Sequence, residues 1–153
     1  MKKYFLMIFM LLLINASAFA SGSLNAGKSE PANLVVYRSK SLSTAGYWDL
    51  SDYKLPAKAV ITGIKVKWDY FSSLSNQRYS GLKLYLYNQK GKKVLLKNNL
   101  IGSYASTDKF NGELPKQKWK LRYKVKDFKY EGSYFAITPQ LIIYYEFKKD
   151  KED

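Results

Sequence analysis

The sequence predicts an all-β fold, an antiparallel β-sandwich of about seven or eight short strands, with a small β-barrel as the alternative. Two observations predict it. Apolar residues recur with a period of two in one segment after another, the spacing that sends successive side chains to opposite faces of a strand. Gly, Asn, Ser and Pro interrupt these segments at short intervals, and no persuasive helical period follows the first 20 residues.

Those first residues, MKKYFLMIFMLLLINASAFA, combine Lys2 and Lys3, an apolar run from Tyr4 to Ile14 and the small-x-small triplet Ala18-Phe19-Ala20. They read as a secretory signal peptide over 1–20, with cleavage expected before Ser21. The run is short of the roughly 20 apolar residues that a membrane-crossing helix needs. No later run approaches that length. An exported protein, periplasmic or extracellular, is therefore expected.

Residues 21–31, SGSLNAGKSEP, are small and polar and read as a flexible lead-in. The sandwich domain is expected over 32–148, and 149–153 form a polar tail. Within the domain, Ile64, Val66, Trp68 and Tyr70 share one strand face while Lys65, Lys67 and Asp69 share the other. Leu82, Leu84 and Leu86 oppose Lys83, Tyr85 and Tyr87 in the same way. Asn88-Gln-Lys-Gly91 supplies turn residues before Lys93–Lys97 returns, which predicts a hairpin with Gly91 at positive φ. In Lys116–Lys126, KQKWKLRYKVK, the residues Trp119, Leu121, Tyr123 and Val125 alternate with cations. The continuous apolar character of Gln140–Phe147 predicts a central strand covered on both faces. Weaker strands are expected at Asn33–Arg38, Tyr47–Leu50 and Ser133–Ile137, and Trp68, Trp119, Leu84 and Ile143 are expected in the core.

The residues that are missing exclude several chemistries. The chain of 153 residues contains neither histidine nor cysteine. A nucleophile activated by a histidine base and a zinc site of His or Cys ligands are both ruled out. Phosphate-cradling glycine loops do not occur, and no cofactor or metal is expected. A catalytic carboxylate pair would have to come from Asp49, Asp52, Asp69, Glu113 and Glu131, most of which sit in turns where carboxylates commonly serve as turn formers. The expectation is a protein that is not an enzyme.

Charge points instead to binding. The chain holds 26 Lys and Arg against 12 Asp and Glu, and losing Lys2 and Lys3 with the signal leaves 24 against 12, a net charge of +12. Such a charge attracts acidic partners and does so less as salt rises. Side chains on one strand face repeat about every 6.5 to 7 Å, so Lys118, Lys120, Arg122, Lys124 and Lys126 form a row. Lys65 and Lys67 join that row if their strand lies in the same sheet. Tyr85 and Tyr87 stand beside the cations and complete the candidate partner-binding set, while Tyr53 and Tyr104 are expected in loops. Three readings compete: a solvated face that resists strand-to-strand aggregation, a dock for an anionic envelope polymer or membrane surface, and a dock for an acidic protein. Exposed tyrosines also stack on sugars, which keeps a carbohydrate-binding module open. Nucleic acid is not an expected partner of an exported chain.

The order of the motifs resembles that of the FlhE family of small exported flagellar proteins. Asn33-Leu-Val-Val-Tyr-Arg38 stands where that family has its LNYR-type opening strand. Val60-Ile-Thr-Gly-Ile64 with Trp68-Asp-Tyr70 is similar to its second strand, and Gly81-Leu-Lys-Leu-Tyr-Leu86 to its GL strand. Gly102 and Phe110-Asn-Gly112 compare with a later loop, and Gln140-Leu-Ile-Ile-Tyr-Tyr145 with the closing strand. Tyr87 and Val94 stand near where the family has two cysteines, so its disulfide is missing here. The resemblance implies a non-enzymatic periplasmic accessory of flagellar assembly or export, with export or rod components as partners.

Overall fold

A computed structural model describes residues 19–70, 79–99, 103–128 and 134–148. Residues 1–18 of the expected signal peptide, Gly102, Glu131, Ser133 and the tail 149–153 lie outside the described residues. The described chain is all β. Its strands are β1 (Phe19–Lys28), β2 (Leu34–Val36), β3 (Gly46–Asp49), β4 (Val60–Tyr70), β5 (Tyr79–Ser80) and β6 (Lys83–Tyr87). They continue with β7 (Lys93–Leu95), β8 (Lys97–Asn99), β9 (Tyr104–Thr107), β10 (Lys118–Lys124), β11 (Asp127–Phe128) and β12 (Phe135–Lys148).

Two antiparallel sheets face each other and neither closes into a barrel. The six-stranded sheet runs β1-β12-β4-β9-β8, with β2 also on β12, and the four-stranded sheet runs β3-β10-β6-β7. A short β11-β5 ladder stands apart. Between the sheets, the alternation read from the sequence becomes one core. Ile64, Val66 and Trp68 of β4 and Leu141 and Ile143 of β12 meet Leu84, Leu86, Trp119, Leu121 and Tyr123 of the other sheet, all buried. Phe110 stands edge-on to Trp119 with ring centroids 5.0 Å apart, a geometry that adds to the area term of burial. The predicted hairpin forms as β6 and β7. Its turn is closed by Gly91 at φ 81° and by the Lys92 amide, which donates to Asn88 Oδ1 at 2.8 Å.

Three expectations need correction. The segment expected as a flexible lead-in is strand: β1 pairs with β12 from Phe19↔Lys148 to Lys28↔Gln140, with a bulge between Asn25 and Gly27. Small polar residues hid it, because an edge strand is held by its ladder and needs little apolar surface of its own. At Gly22 a Cβ would lie 2.6 Å from the Tyr145 ring, so a side chain there would have to displace that ring. Second, the strands expected at Ser133–Ile137 and Gln140–Phe147 are one, β12, running through Pro139. Proline is tolerated because its edge falls in the gap between β2, which ends opposite Ile137, and β1, which begins opposite Gln140. The Pro139 carbonyl accepts from the Ser29 amide on that side at 3.3 Å. Third, the Gln140–Phe147 part of β12 is central but fully covered on one face alone, for on the other Ile142 is half-buried and Tyr144 is 42% exposed.

Candidate functional site

Strand β10 carries the basic row, and its inner face explains why the row is so regular. Trp119, Leu121, Tyr123 and Val125 each have no solvent exposure. Burying four such side chains in succession fixes the register, since a slip by one residue would put every lysine into the core. Lys118, Lys120, Arg122 and Lys124 therefore face outward together, and Lys126 follows beyond the strand, exposed.

Pairing with neighbouring strands turns the row into a lattice. Lys120 lies between Tyr47 of β3 and Tyr87 of β6, and Tyr87 lies next to Lys93 of β7. One step along, Arg122 pairs with Tyr85, which pairs with Leu95, and Lys124 pairs with Lys83. Across the sheet, cation and tyrosine alternate in the row Tyr47-Lys120-Tyr87-Lys93, and Arg122 stands beside Tyr85. The ammonium of Lys120 stands 4.5 Å from the centre of the Tyr87 ring, and that of Lys93 stands 4.3 Å from Tyr85 and 5.9 Å from Tyr87. Lys124 approaches Tyr85 at 5.8 Å. Each contact at an exposed site is worth about 0.5–1 kcal/mol, and each keeps an ammonium beside a tyrosine ring.

The ends of the row are tied differently. Arg122 Nε donates to the Ser43 carbonyl at 2.8 Å, which orients the guanidinium. Lys118 meets Asp49 at 3.1 Å with both side chains more than half exposed, a pair that contributes little to stability. Hydrogen bonds from the Ser51 hydroxyl and amide, followed by Lys118, lower the Asp49 carboxyl to about 2. Asp49 is the carboxylate that this face sets against seven cations, Lys83, Lys93, Lys118, Lys120, Arg122, Lys124 and Lys126, among the described residues.

The structure brings together Tyr85, Tyr87, Lys118, Lys120, Arg122, Lys124 and Lys126 but not Lys65 and Lys67. These two belong to β4 in the six-stranded sheet and face out on the far side of the sandwich. Their alternation is as expected; their sheet is not, because strand period alone does not say which strands pair. Tyr104, expected in a loop, is in β9, with the Lys65 ammonium 4.0 Å from its ring centre. Tyr53 is at a turn and exposed. Sequence reasoning missed Tyr47, Lys83 and Lys93 as members of the face. The alternation around Val94 and Trp48 would have flagged them once the order β3-β10-β6-β7 was known.

The carboxylates do not assemble. Asp49 and Asp69 lie on strands of opposite sheets, and Asp52 is exposed at a turn. Glu113 is held by Lys92 Nζ at 2.8 Å and by Asn88 Nδ2 at 2.9 Å. Burial by itself would raise the Glu113 carboxyl, but the bonds from Lys92 and Asn88 outweigh it and leave it below its ordinary value. Among the described residues no three Asp or Glu side chains converge in a way that would hold a metal ion. No helix among them is long and apolar enough to cross a membrane.

Fold and face together define a small β-sandwich protein with one strongly basic, tyrosine-laced sheet surface. No family model and no curated protein matches the chain in sequence. Among solved structures it is similar to FlhE, at 11% identity and a TM-score of 0.46, over 86% of this chain and 97% of that one. It is also similar to the serine protease of Aeromonas sobria, at 11% identity and a TM-score of 0.53, over 88% of this chain and 29% of that one. A chain from the complex of that protease with the chaperone ORF2 matches at 10% identity and a TM-score of 0.54, again over 29% of its length. What the protease structures share with this chain is a fold.

Proposed function

We propose that this is an exported, non-enzymatic binding protein that holds an anionic partner against the outer face of its four-stranded sheet. The observation that supports this reading is the register that sets Lys120, Lys93 and Lys124 over Tyr85 and Tyr87. A lysine on a free surface loses much side-chain freedom when it engages a ligand, whereas one already resting on a ring has less to lose. A row of like charges repels itself and is relieved by opposite charge arriving from outside. The same charges would speed encounter and orient the partner more than they would deepen affinity.

The finer reading is an FlhE-like periplasmic accessory of flagellar assembly or export, docking an acidic protein. The order of motifs from Asn33-Leu-Val-Val-Tyr-Arg38 to Gln140-Leu-Ile-Ile-Tyr-Tyr145 supports it. Sugar stacking on Tyr85 and Tyr87 is disfavoured, because lysine ammoniums already occupy those ring faces.

The test is a Lys120→Glu/Lys124→Glu double variant returned to a deletion strain of the source organism. The wild-type gene is expected to restore swimming and the variant to fail while remaining folded and exported. A deletion strain that swims normally overturns the flagellar reading. Retention of an envelope partner by the variant as well as by the wild type at low salt overturns the basic face as its dock.

A further inference from the structure

The opposite sheet carries a cleft that the basic face does not explain. On the outer surface of the six-stranded sheet, Gly63 of β4 lies opposite Tyr144 of β12, and the register slips immediately afterwards, leaving Thr62 as an extra residue. Lys65 and Ser106 are paired one position away, with Lys97 of β8 beyond them. Gly63, Tyr144, Lys65, Ser106 and Lys97, with Leu95 of β7, Asp108 and Lys109, line an open cleft of about 580 Å³, within the ~300–1,000 Å³ range of ordinary ligand sites.

Gly63 is the telling residue. A Cβ at Gly22 or Gly46 would collide with packed neighbours at 2.6 or 2.7 Å, and Gly27, Gly81, Gly91 and Gly112 have positive φ. Gly63 has neither constraint: its φ lies outside the left-handed region, and a Cβ there would meet nothing nearer than Tyr144 Cδ2 at 3.8 Å. Packing and φ thus leave room for a side chain at this position, which stands beside the register slip. A glycine inside a strand commonly marks a place where something approaches the backbone closely, and bulges concentrate beside functional sites. Here the missing side chain leaves the floor of the cleft open beside a tyrosine that is 42% exposed.

The chemistry of the lining selects the occupant. Tyr144 offers an apolar ring edge and face to a flat C–H surface. Lys65, Lys97 and Lys109 supply positive charge, the first of them held above the Tyr104 ring at 4.0 Å. Ser106 and Asp108 can exchange hydrogen bonds with hydroxyl groups. A ligand that satisfies all three is a sugar ring bearing a carboxylate. We propose that this cleft binds an acidic polysaccharide through a uronic-acid unit, its ring on Tyr144 above Gly63 and its carboxylate toward Lys65 and Lys97. Its charged and aromatic groups lie on the other sheet from the basic face, with Leu95 of β7 as a shared wall, and neither assignment requires the other.

The test is calorimetric titration of the full chain with a purified oligogalacturonate. The neutral maltooligosaccharide of equal length and inorganic polyphosphate serve as controls, and the titrations are run at low salt and near 1 M, where the screening length is ~3 Å. Because a side chain at Gly63 meets open space, Gly63→Leu should fold normally and weaken oligogalacturonate binding by about tenfold or more. Tyr144→Ala should weaken it similarly, whereas Lys120→Glu/Lys124→Glu should leave binding to the cleft in place. Binding that persists in part near 1 M salt and exceeds that of both controls supports the site. Absence of binding, indifference to Gly63→Leu in a protein of unchanged stability, or equal binding of polyphosphate that vanishes at high salt overturns it.

Discussion

Tyr123 meets Phe135 twice: its hydroxyl donates to the Phe135 carbonyl at 2.6 Å, and the two rings stand edge to face with centroids 5.8 Å apart. The same hydroxyl oxygen lies 2.9 Å from the Leu34 carbonyl. Tyr123 belongs to the four-stranded sheet, and Phe135 and Leu34 to the other. One buried phenol therefore links the two layers of the sandwich directly beneath the basic row, where Arg122 and Lys124 flank it.

Removing that hydroxyl should destabilise the fold while leaving its shape intact. In Tyr123→Phe the ring still fills the core, but buried carbonyls lose their donor, a change that costs about 1–3 kcal/mol. Urea unfolding is the measurement, and a lower midpoint at unchanged slope is the expected result. A midpoint equal to that of the wild type would mean that these carbonyls find another donor.

Trp119→Ala tests the core on the other side of the row. Trp119 is fully buried, packs edge-on with Phe110 and donates from its indole nitrogen to the Pro115 carbonyl at 3.3 Å. Large-to-small replacement at such a site costs about 3–5 kcal/mol. For a domain of marginal stability that is enough to lower the melting temperature sharply. A loss below about 1 kcal/mol would place Trp119 at the surface, where a tryptophan serves as a ligand platform.

The alternation of β10 shows what was legible and why. Period two told which side of each strand is wet, and it did so for Lys118 as for Lys67, because that property belongs to the single strand. Which strands share a sheet depends on contacts far apart in sequence, so the placement of Lys65 and Lys67 on the far side could not be read. The strand at Phe19–Lys28 was hidden for a related reason. Its residues are there for a backbone ladder and for close approach to Tyr145, and neither leaves an apolar signature. The Gly63 cleft was invisible because it is made by β4, β9 and β12 only when they lie side by side.

Stability should hold from neutral pH to about pH 5 and fall below it. The folded Glu113 carboxyl lies below its ordinary value of 4.5, since the bonds from Lys92 and Asn88 outweigh burial. Folding therefore favours its charged form, and the stabilisation is complete above the unfolded value and is lost as pH falls through the folded one. Asp49, lowered from 3.8 to about 2 by Ser51 and Lys118, behaves in the same sense over that more acidic window. Urea midpoints measured against pH should fall less steeply below about pH 5 in Glu113→Gln than in the wild type. An unchanged acid limb in that variant would show that Glu113 has no favoured charged state.

Gly22→Val distinguishes a docked β1 from a loose leader. A side chain at Gly22 would come within 2.6 Å of the Tyr145 ring, which itself packs beside Phe147 at a centroid distance of 6.3 Å. Inserting an isopropyl group into that contact should cost about 1–3 kcal/mol, the usual range for overpacking. Alternate amides within Ser21–Asn25, those that bond to the facing Ile142–Glu146 segment, should exchange slowly in the wild type and faster in the variant. Cleavage before Ser21 would keep eight of the ten residues of β1 and set the new amino terminus opposite Glu146. The exported protein should then show the same protection as the full chain. Full exchange of these amides in the wild type, or a variant as stable as the parent, would mean that β1 is not docked on β12.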